Sequence, residues 1–170
     1  MPIDEILLFT VLALLAEVIG TISGFGSSVF FVPIAAYFFD FHSVLGITAL
    51  FHVFSNISKI YFFNKGVNWK IVLYLGIPAI VFVSLGAYLS KFFNSSILEL
   101  ILAFFLIGFS VLFLIAQKFV IKPSNTNSII GGTISGFFAG LLGTGGAIRG
   151  MTLAAFKLNK EVFSQALTTC

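Results

Sequence analysis

Four apolar segments, each roughly long enough to cross a lipid bilayer as a helix, constrain this chain more than any other feature of its sequence. The segments are Ile6–Ile22, Leu45–Phe63, Ile71–Leu89 and Ile97–Ala116. Of the 170 residues, 59% are hydrophobic and only 9% are charged, which leaves too little polar surface for a soluble globular domain. The sequence therefore predicts an all-α, polytopic transmembrane helical bundle embedded in the lipid bilayer.

The charges and the single cysteine exclude several other classes of protein. The net charge is +3 and the basic residues form no stripe, so we expect no nucleic-acid partner. Cys170 is the only cysteine, and the sequence contains neither a metalloprotease motif nor an ATP-binding glycine loop. We therefore predict that the protein is not an enzyme and carries no metal or cofactor. The acidic start, Met1 to Glu5, is unlike the basic start of a signal peptide, which predicts that the first apolar segment is retained.

Two clusters of glycine and small hydroxyl residues interrupt the apolar sequence. Their members are Gly24, Gly26, Ser27 and Ser28 in the first cluster, and Gly143, Thr144, Gly145 and Gly146 in the second. Each cluster precedes a short apolar segment, Val29–Phe39 or Ile148–Leu158, which has the length of a half-helix. Shifting the first cluster by 119 positions, from residue 24 to residue 143, aligns its glycines with glycines of the second. This correspondence predicts two transmembrane repeats, each with a glycine-broken helix pair.

Glycines in such clusters have two alternative roles. In the first, they break a membrane helix and expose backbone N–H groups at the start of the next helix, where anions are attracted. Broken backbone of this kind occurs in membrane transporters, where it lines a cavity. In the second, they let two helices pack closely, because glycine has no side chain. We favour this packing role for Gly132, Gly136 and Gly140, which lie outside the clusters and recur every four residues. For the two clusters, their repetition favours the broken-helix interpretation.

The spacing of the clusters also predicts the domain organisation. Residues 1–118 form the first repeat, residues 119–128 a cytoplasmic linker, and residues 129–170 the start of an incomplete second repeat. A second repeat as long as the first would end at residue ~237, so we expect a fragment that lacks about three spans. A naturally short protein is the alternative.

Lysine positions predict the orientation in the membrane. The loops 64–70 and 117–128 contain four lysines, whereas the loops on the opposite side contain only Lys91. Because basic loops stay in the cytoplasm, we predict that these two loops are cytoplasmic. If both segments flanking each cluster cross the membrane, the two repeats are inverted relative to each other.

Several polar residues lie inside the predicted spans, where they are costly and often functional. Glu17 is either a gate or carrier of a coupled proton, or a structural partner of another polar group. Arg149, close to the second cluster, either holds an anion or extends to the membrane interface. One face of the third apolar segment carries the polar residues Thr48, His52, Ser55, Asn56 and Lys59. Inside a bundle such a face would line a pathway. Alternatively, Asn56 and Lys59 mark the cytoplasmic end of the span and His52 donates to a neighbouring helix. With Glu17 and Arg149, Asn56 and Lys59 are secondary candidates for the site.

The glycine clusters and their surroundings resemble a known family. The segment Gly20–Ser28 followed by Val32-Pro33, and its counterpart Ala139–Gly146, are similar to motifs of the sulfite exporter TauE/SafE family of membrane transporters. The likeness spans nearly the whole chain. It implies a bacterial or archaeal type of inner-membrane permease with a duplicated core, for sulfite, organosulfonates and other small sulfur-containing or organic anions. One departure is Thr152, which stands at the position aligned with Pro33.

Together, the clusters and the resemblance predict a secondary permease for a small, sulfur-containing anion. We expect the anion to lie between the clusters, held by backbone N–H groups and by the hydroxyls of Ser27, Ser28 and Thr144. A proton or sodium ion is the expected coupling ion. Two alternatives stay open: a non-transporting or incomplete membrane interaction protein that needs to form a homo-oligomer, and a passive anion channel.

Overall fold

The described part of the molecule is a bundle of α-helices. The computed structural model describes residues 2–24, 26–62, 69–115 and 124–156, with side chains at these positions except 58–62 and 69. The helices in these ranges are α1 (Ile3–Ser23), α2 (Ser28–Phe38), α3 (Phe41–Phe62), α4 (Trp69–Ser90), α5 (Ser95–Ile115), α6 (Asn125–Leu142) and α7 (Gly146–Ala155). The predicted all-α fold is confirmed, since none of the described residues lies in a strand.

Three of the described helices have the length and apolar composition needed to cross a membrane. They are α1, α4 from Lys70 onward, and α5, each with 21 residues in its apolar stretch. The helix α2 and the Phe41–Ile57 part of α3 are shorter apolar helices. Outward-facing apolar side chains dominate the long helices; Phe104 of α5, for example, is 68% exposed. These features confirm a helical membrane bundle.

The core of the bundle lies around the short helix α2. Phe31, Val32 and Ala35 of this helix are at most 1% exposed. The ring of Phe31 stacks on Phe51 of α3, with centroids 4.4 Å apart. Other buried members of the core are Ala13, Ala16, Phe41, Val44, Leu98, Leu102, Leu141 and Leu142. Because lipid is as apolar as these side chains, close packing rather than exclusion of water holds α2 in place.

Helices α4 and α6 pack with their backbones in contact. Three glycines of α6 lie directly against main-chain atoms of α4: Gly132 against Leu75, Gly136 against Ala79, and Gly140 against Val83. A Cβ atom at any of these glycines would overlap the facing main chain, so a larger residue would force the helices apart. The packing role predicted from the four-residue spacing of these glycines is confirmed.

Helix α6 begins within the residues predicted as a linker. Ser124 caps it, because its Oγ accepts a hydrogen bond from the main-chain N–H of Asn127 at 3.1 Å. Polar residues satisfy the free N–H groups of a first helical turn, so a membrane helix starts before its apolar run. The helix therefore covers Asn125–Leu142, whereas the apolar run begins at Ile129. Half of the predicted linker, residues 119–123, lies outside the described residues.

Helix α3 is capped at its start by Asp40. The Oδ1 atom of Asp40 accepts hydrogen bonds from the main-chain N–H groups of His42 at 3.1 Å and of Ser43 at 3.4 Å. Hydrogen bonds from the side chain and then the main chain of Ser43, with a smaller contribution from His42, lower the pKa of Asp40 below its ordinary value of 3.8.

This cap predicts a loss of stability in acid. Because the pKa of Asp40 is lower in the folded state, its stabilising contribution is present above pH 3.8 and disappears as the pH falls through the folded-state value. We expect the melting temperature in detergent to fall between about pH 7 and about pH 3, and to fall less for Asp40→Asn than for the wild type. Equal falls in the two proteins would show that the Asp40 charge does not stabilise the fold.

Candidate functional site

The first glycine cluster ends α1 and starts α2. Gly24 has a φ of 74° and Gly26 a φ of 82°, a region that residues with a side chain rarely occupy. The helix α2 follows at once, and the main-chain N–H of Phe31 donates to the carbonyl of Ser27 at 2.8 Å. A Cβ atom at Gly20 would lie 2.5 Å from the main-chain nitrogen of Ser27, so the chain folds back tightly against α1. The apolar sequence is therefore broken here into two separate helices.

The second cluster ends α6 and starts α7 in a similar way. Gly143 has φ 74° and ψ 1°, nearly the angles of Gly24, which has φ 74° and ψ 5°. The buried hydroxyl of Ser135 donates to the carbonyl of Gly145 at 3.1 Å and ties the turn to α6. The two breaks differ at their second glycine, because Gly145 has a φ of −77° where Gly26 has a positive φ. The two breaks are therefore more alike where the first helix ends than where the second helix starts.

The two breaks lie against each other. A Cβ atom on Gly26 would lie only 3.1 Å from the Cα of Gly146, the first residue of α7. Since Gly26 comes just before α2, the amino-terminal ends of α2 and α7 are neighbours. Each end has N–H groups without intrahelical acceptors and carries partial positive charge. We call this meeting point of Gly24, Gly26, Ser27 and Ser28 with Gly143–Gly146 the junction, and its charge suits an anionic group.

Buried hydroxyl groups belong to this junction. Ser27, Ser28 and Thr144 are at most 1% exposed. Their hydroxyl oxygens have no hydrogen-bond partner among the described residues. A buried hydroxyl left without a partner costs about 1–3 kcal/mol, and native proteins retain few such groups, so each one needs an explanation. Three hydrogen-bond donors are therefore available to a polar ligand beside the two helix ends.

Thr48 is a fourth hydroxyl of this kind, contributed by α3. It is 2% exposed, and its Oγ1 also has no hydrogen-bond partner within the described ranges. A Cβ atom on Gly143 would lie 3.6 Å from the Cγ2 of Thr48. The sequence places Thr48 on a polar helix face, but it does not show that this face meets the second break. That contact depends on how α3 packs, so the sequence predicts a polar face that includes Thr48 but not its position beside Gly143.

Glu17 lies away from the junction and connects α1 with α3. It precedes Gly24 by two helical turns, about 10 Å along the axis. Its Oε1 accepts a hydrogen bond from the Oγ of Ser55 at 2.6 Å. A second, longer hydrogen bond comes from the Oγ1 of Thr21 at 3.3 Å. The polar face of α3 therefore contacts Glu17 through Ser55 and the second break through Thr48.

The other secondary candidates are placed differently. Arg149 is half-buried in the first turn of α7, and its main-chain N–H donates to the carbonyl of Gly145 at 3.2 Å. Asn56 is half-buried on α3, two turns or about 12 Å beyond Thr48. The side chain of Lys59 lies outside the described residues. Of these candidates, only Arg149 belongs to a helix that starts at the junction.

Comparison with known proteins identifies the family of this chain. The sequence model of the sulfite exporter TauE/SafE family matches residues 9–169, a range that contains both helix breaks. The chain belongs to this family. The resemblance predicted from Gly20–Ser28 and Ala139–Gly146 is thereby confirmed. As a TauE/SafE family member with apolar helices of spanning length, the chain is a multi-pass membrane protein.

A curated relative agrees with membership of the TauE/SafE family. This protein of Methanocaldococcus jannaschii is named a probable membrane transporter protein and is 30% identical over 158 residues. The match covers 83% of this chain but only 58% of the relative, so the chain spans less than two thirds of that protein's length. No solved structure matches the chain.

Proposed function

We propose that the chain acts in a secondary permease that moves a small anion across the membrane and binds it at the junction. The observation that carries this proposal is the contact between Gly26 and Gly146, which brings two helix amino termini together. The buried hydroxyls without partners at the same place add to it. Membership of the TauE/SafE family and the name of the archaeal relative support transport as the activity.

The proposed binding residues act through main-chain and hydroxyl donors. The glycines, Gly24, Gly26, Gly143, Gly145 and Gly146, allow the anion to approach the main chain closely, since they have no side chain. Ser27, Ser28 and Thr144 donate their hydroxyl hydrogens. Because these groups are buried, they can replace the water that the anion loses on entering the membrane, and the field of the helix ends acts with little screening. In this proposal Arg149, in the first turn of α7, adds the positive charge of its guanidinium to the site.

The proposed substrate is sulfite or an organosulfonate. The description of the matching family supports this class. Such anions carry several negatively charged oxygens on one sulfur atom, and each oxygen accepts hydrogen bonds from N–H and O–H groups. The junction offers N–H and O–H groups as hydrogen-bond donors, so it suits the acceptor oxygens of these anions.

The proposed transporter lies in the plasma membrane with the loops 64–70 and 117–128 in the cytoplasm. Most residues of these loops lie outside the described ranges. We propose a proton or sodium ion as the coupling ion, with Glu17 as the proton carrier, because its carboxylate bridges α1 and α3 through Ser55. The division into residues 1–118, 119–128 and 129–170, the inverted repeat and assembly as a homo-oligomer remain predictions.

Transport by the full chain in liposomes tests the proposal. We expect saturable uptake of radiolabelled sulfite above that of protein-free liposomes, with stimulation by an imposed proton or sodium gradient. The variant Ser27→Ala removes one of the junction hydroxyls. We expect its KM for sulfite to rise about tenfold, because the variant loses one hydrogen bond to a charged group. Ser84→Ala is the matched control, because the Ser84 hydroxyl bonds within its own helix to the carbonyl of Ile80 at 3.1 Å.

The outcomes separate the alternatives. Saturable uptake without any response to either gradient would favour a passive channel over a coupled permease. Uptake no greater than in protein-free liposomes would contradict transport by this chain. Equal KM values for Ser27→Ala and the wild type would remove Ser27 from the binding site.

A further inference from the structure

The hydroxyl of Thr48 is unusual among the hydroxyls on the helices of this bundle. Five others donate to the carbonyl oxygen four residues earlier in the chain, as is usual for serine and threonine in apolar helices: Thr10, Ser84, Ser110, Ser128 and Thr152, at 2.7–3.1 Å. Thr48 makes no such bond, although the carbonyl of Val44 lies at the same spacing, and its Oγ1 has no partner among the described residues. The hydroxyl of Thr48 is therefore buried without being used by its own helix.

Thr48 lies beside Gly143, which is part of the second helix break of the junction. The methyl group of Thr48, with the side chains of Val32 and Leu45, surrounds the position that a Cβ would take on Gly143, at 3.1–3.6 Å. The next residue after Gly143 is Thr144, whose buried hydroxyl also has no partner within the described part of the chain. The hydroxyl of Thr48 thus comes from a third segment, α3, which belongs to neither helix break.

We propose that Thr48 is a further binding residue for the transported anion and that α3 forms one wall of the site. This inference rests on the proposed function, since it assumes that an anion binds at the junction. Donors from three segments, the two breaks and α3, suit an oxyanion, whose oxygens point in different directions. Because the Thr48 hydroxyl bonds to no carbonyl of its own helix, its role is to bind the oxyanion and not to stabilise α3.

Isothermal titration of the full chain in detergent with sulfite tests this role. Thr48→Val keeps the shape of the side chain and removes only its donor, so we expect the Kd for sulfite to rise about tenfold. Thr48→Ser keeps the donor and should bind sulfite with close to the wild-type Kd. Thr10→Val is the matched control, because the same substitution at Thr10 removes a hydroxyl that bonds to Ile6 at 2.8 Å in its own helix.

A second measurement separates recognition from a structural role. Without sulfite, Thr48→Val should melt at or above the wild-type temperature, because the variant no longer buries an unpaired hydroxyl. A lower melting temperature without sulfite would overturn the proposal, since it would show that the hydroxyl stabilises the fold.

The titration distinguishes failure of this inference from failure of the proposed function. If the wild type binds sulfite and Thr48→Val binds it equally well, Thr48 is not a binding residue while the anion site stands. If the wild type shows no saturable binding of sulfite, sulfite is not the ligand of the junction, and both the proposed sulfite substrate and the role of Thr48 in binding it are overturned.

Discussion

Replacing Gly26 by leucine is expected to abolish sulfite flux while the protein still inserts into the membrane. Gly26 has a φ of 82°, where a residue with a side chain is strained by about 1–2 kcal/mol. Its Cβ would also lie 3.1 Å from the Cα of Gly146, so a leucine side chain would push the two helix ends apart. Because the proposed site consists of these two ends, we expect flux to fall about a hundredfold or more.

Uptake into liposomes measures this effect, with Gly108→Leu as the matched control. A Cβ on Gly108 of α5 would meet no atom within 4 Å, so the same substitution adds an apolar side chain to an open surface. Gly108→Leu should therefore transport like the wild type. Undiminished flux in correctly inserted Gly26→Leu would contradict the location of the site at the junction.

Replacing Gly136 by leucine is expected to destabilise the fold itself. A Cβ at Gly136 would lie 2.6 Å from the Cα of Ala79, so α4 and α6 could keep their present separation only with a severe clash. Overpacking a well-packed contact typically costs about 1–3 kcal/mol, and we expect the upper end of this range or more because the clash is with main-chain atoms. The measured result should be a lower melting temperature and a smaller yield of monodisperse protein in detergent.

Gly76→Leu on α4 is the control for this second variant. A Cβ on Gly76 would meet no atom within 4 Å, so this helix should tolerate the larger residue there. A melting temperature of Gly136→Leu equal to that of Gly76→Leu would show that the contact of α4 with α6 does not need glycine.

The two variants distinguish the two roles of glycine in this chain. Gly26→Leu should retain a folded protein that does not transport, whereas Gly136→Leu should lose folded protein first. If Gly26→Leu instead behaved like Gly136→Leu, with both losing stability, the glycines of the first break would be packing residues like those of α6.

Apolar run length was sufficient to predict the described helices, because a helix in lipid must satisfy its own backbone groups and span a known thickness. Each of these helices begins at or up to four residues before the run that predicted it, as α6 does at Asn125 rather than Ile129. The early starts have a physical reason. The first turn needs polar partners for its N–H groups, and residues such as Ser124 and Asp40 supply them outside the apolar run.

The glycine clusters were also recognisable, since residues such as Gly24 and Gly143 end helices in a conformation that favours glycine. What the sequence could not predict are the partners of these elements in space. The hydrogen bond from Ser55 to Glu17 joins residues 38 positions apart, and the polar pattern of α3 alone does not specify it.

The sequence by itself determined that this protein is a helical membrane bundle, where its helices break, and to which family it belongs, because these properties depend on local composition and spacing. Only the tertiary structure decided that Gly26 meets Gly146 and that Thr48 lies beside Gly143. In a membrane, where every outward face is apolar, hydrophobicity does not select which faces meet. Close packing of small residues and the positions of buried polar groups decide that, and both depend on the whole fold.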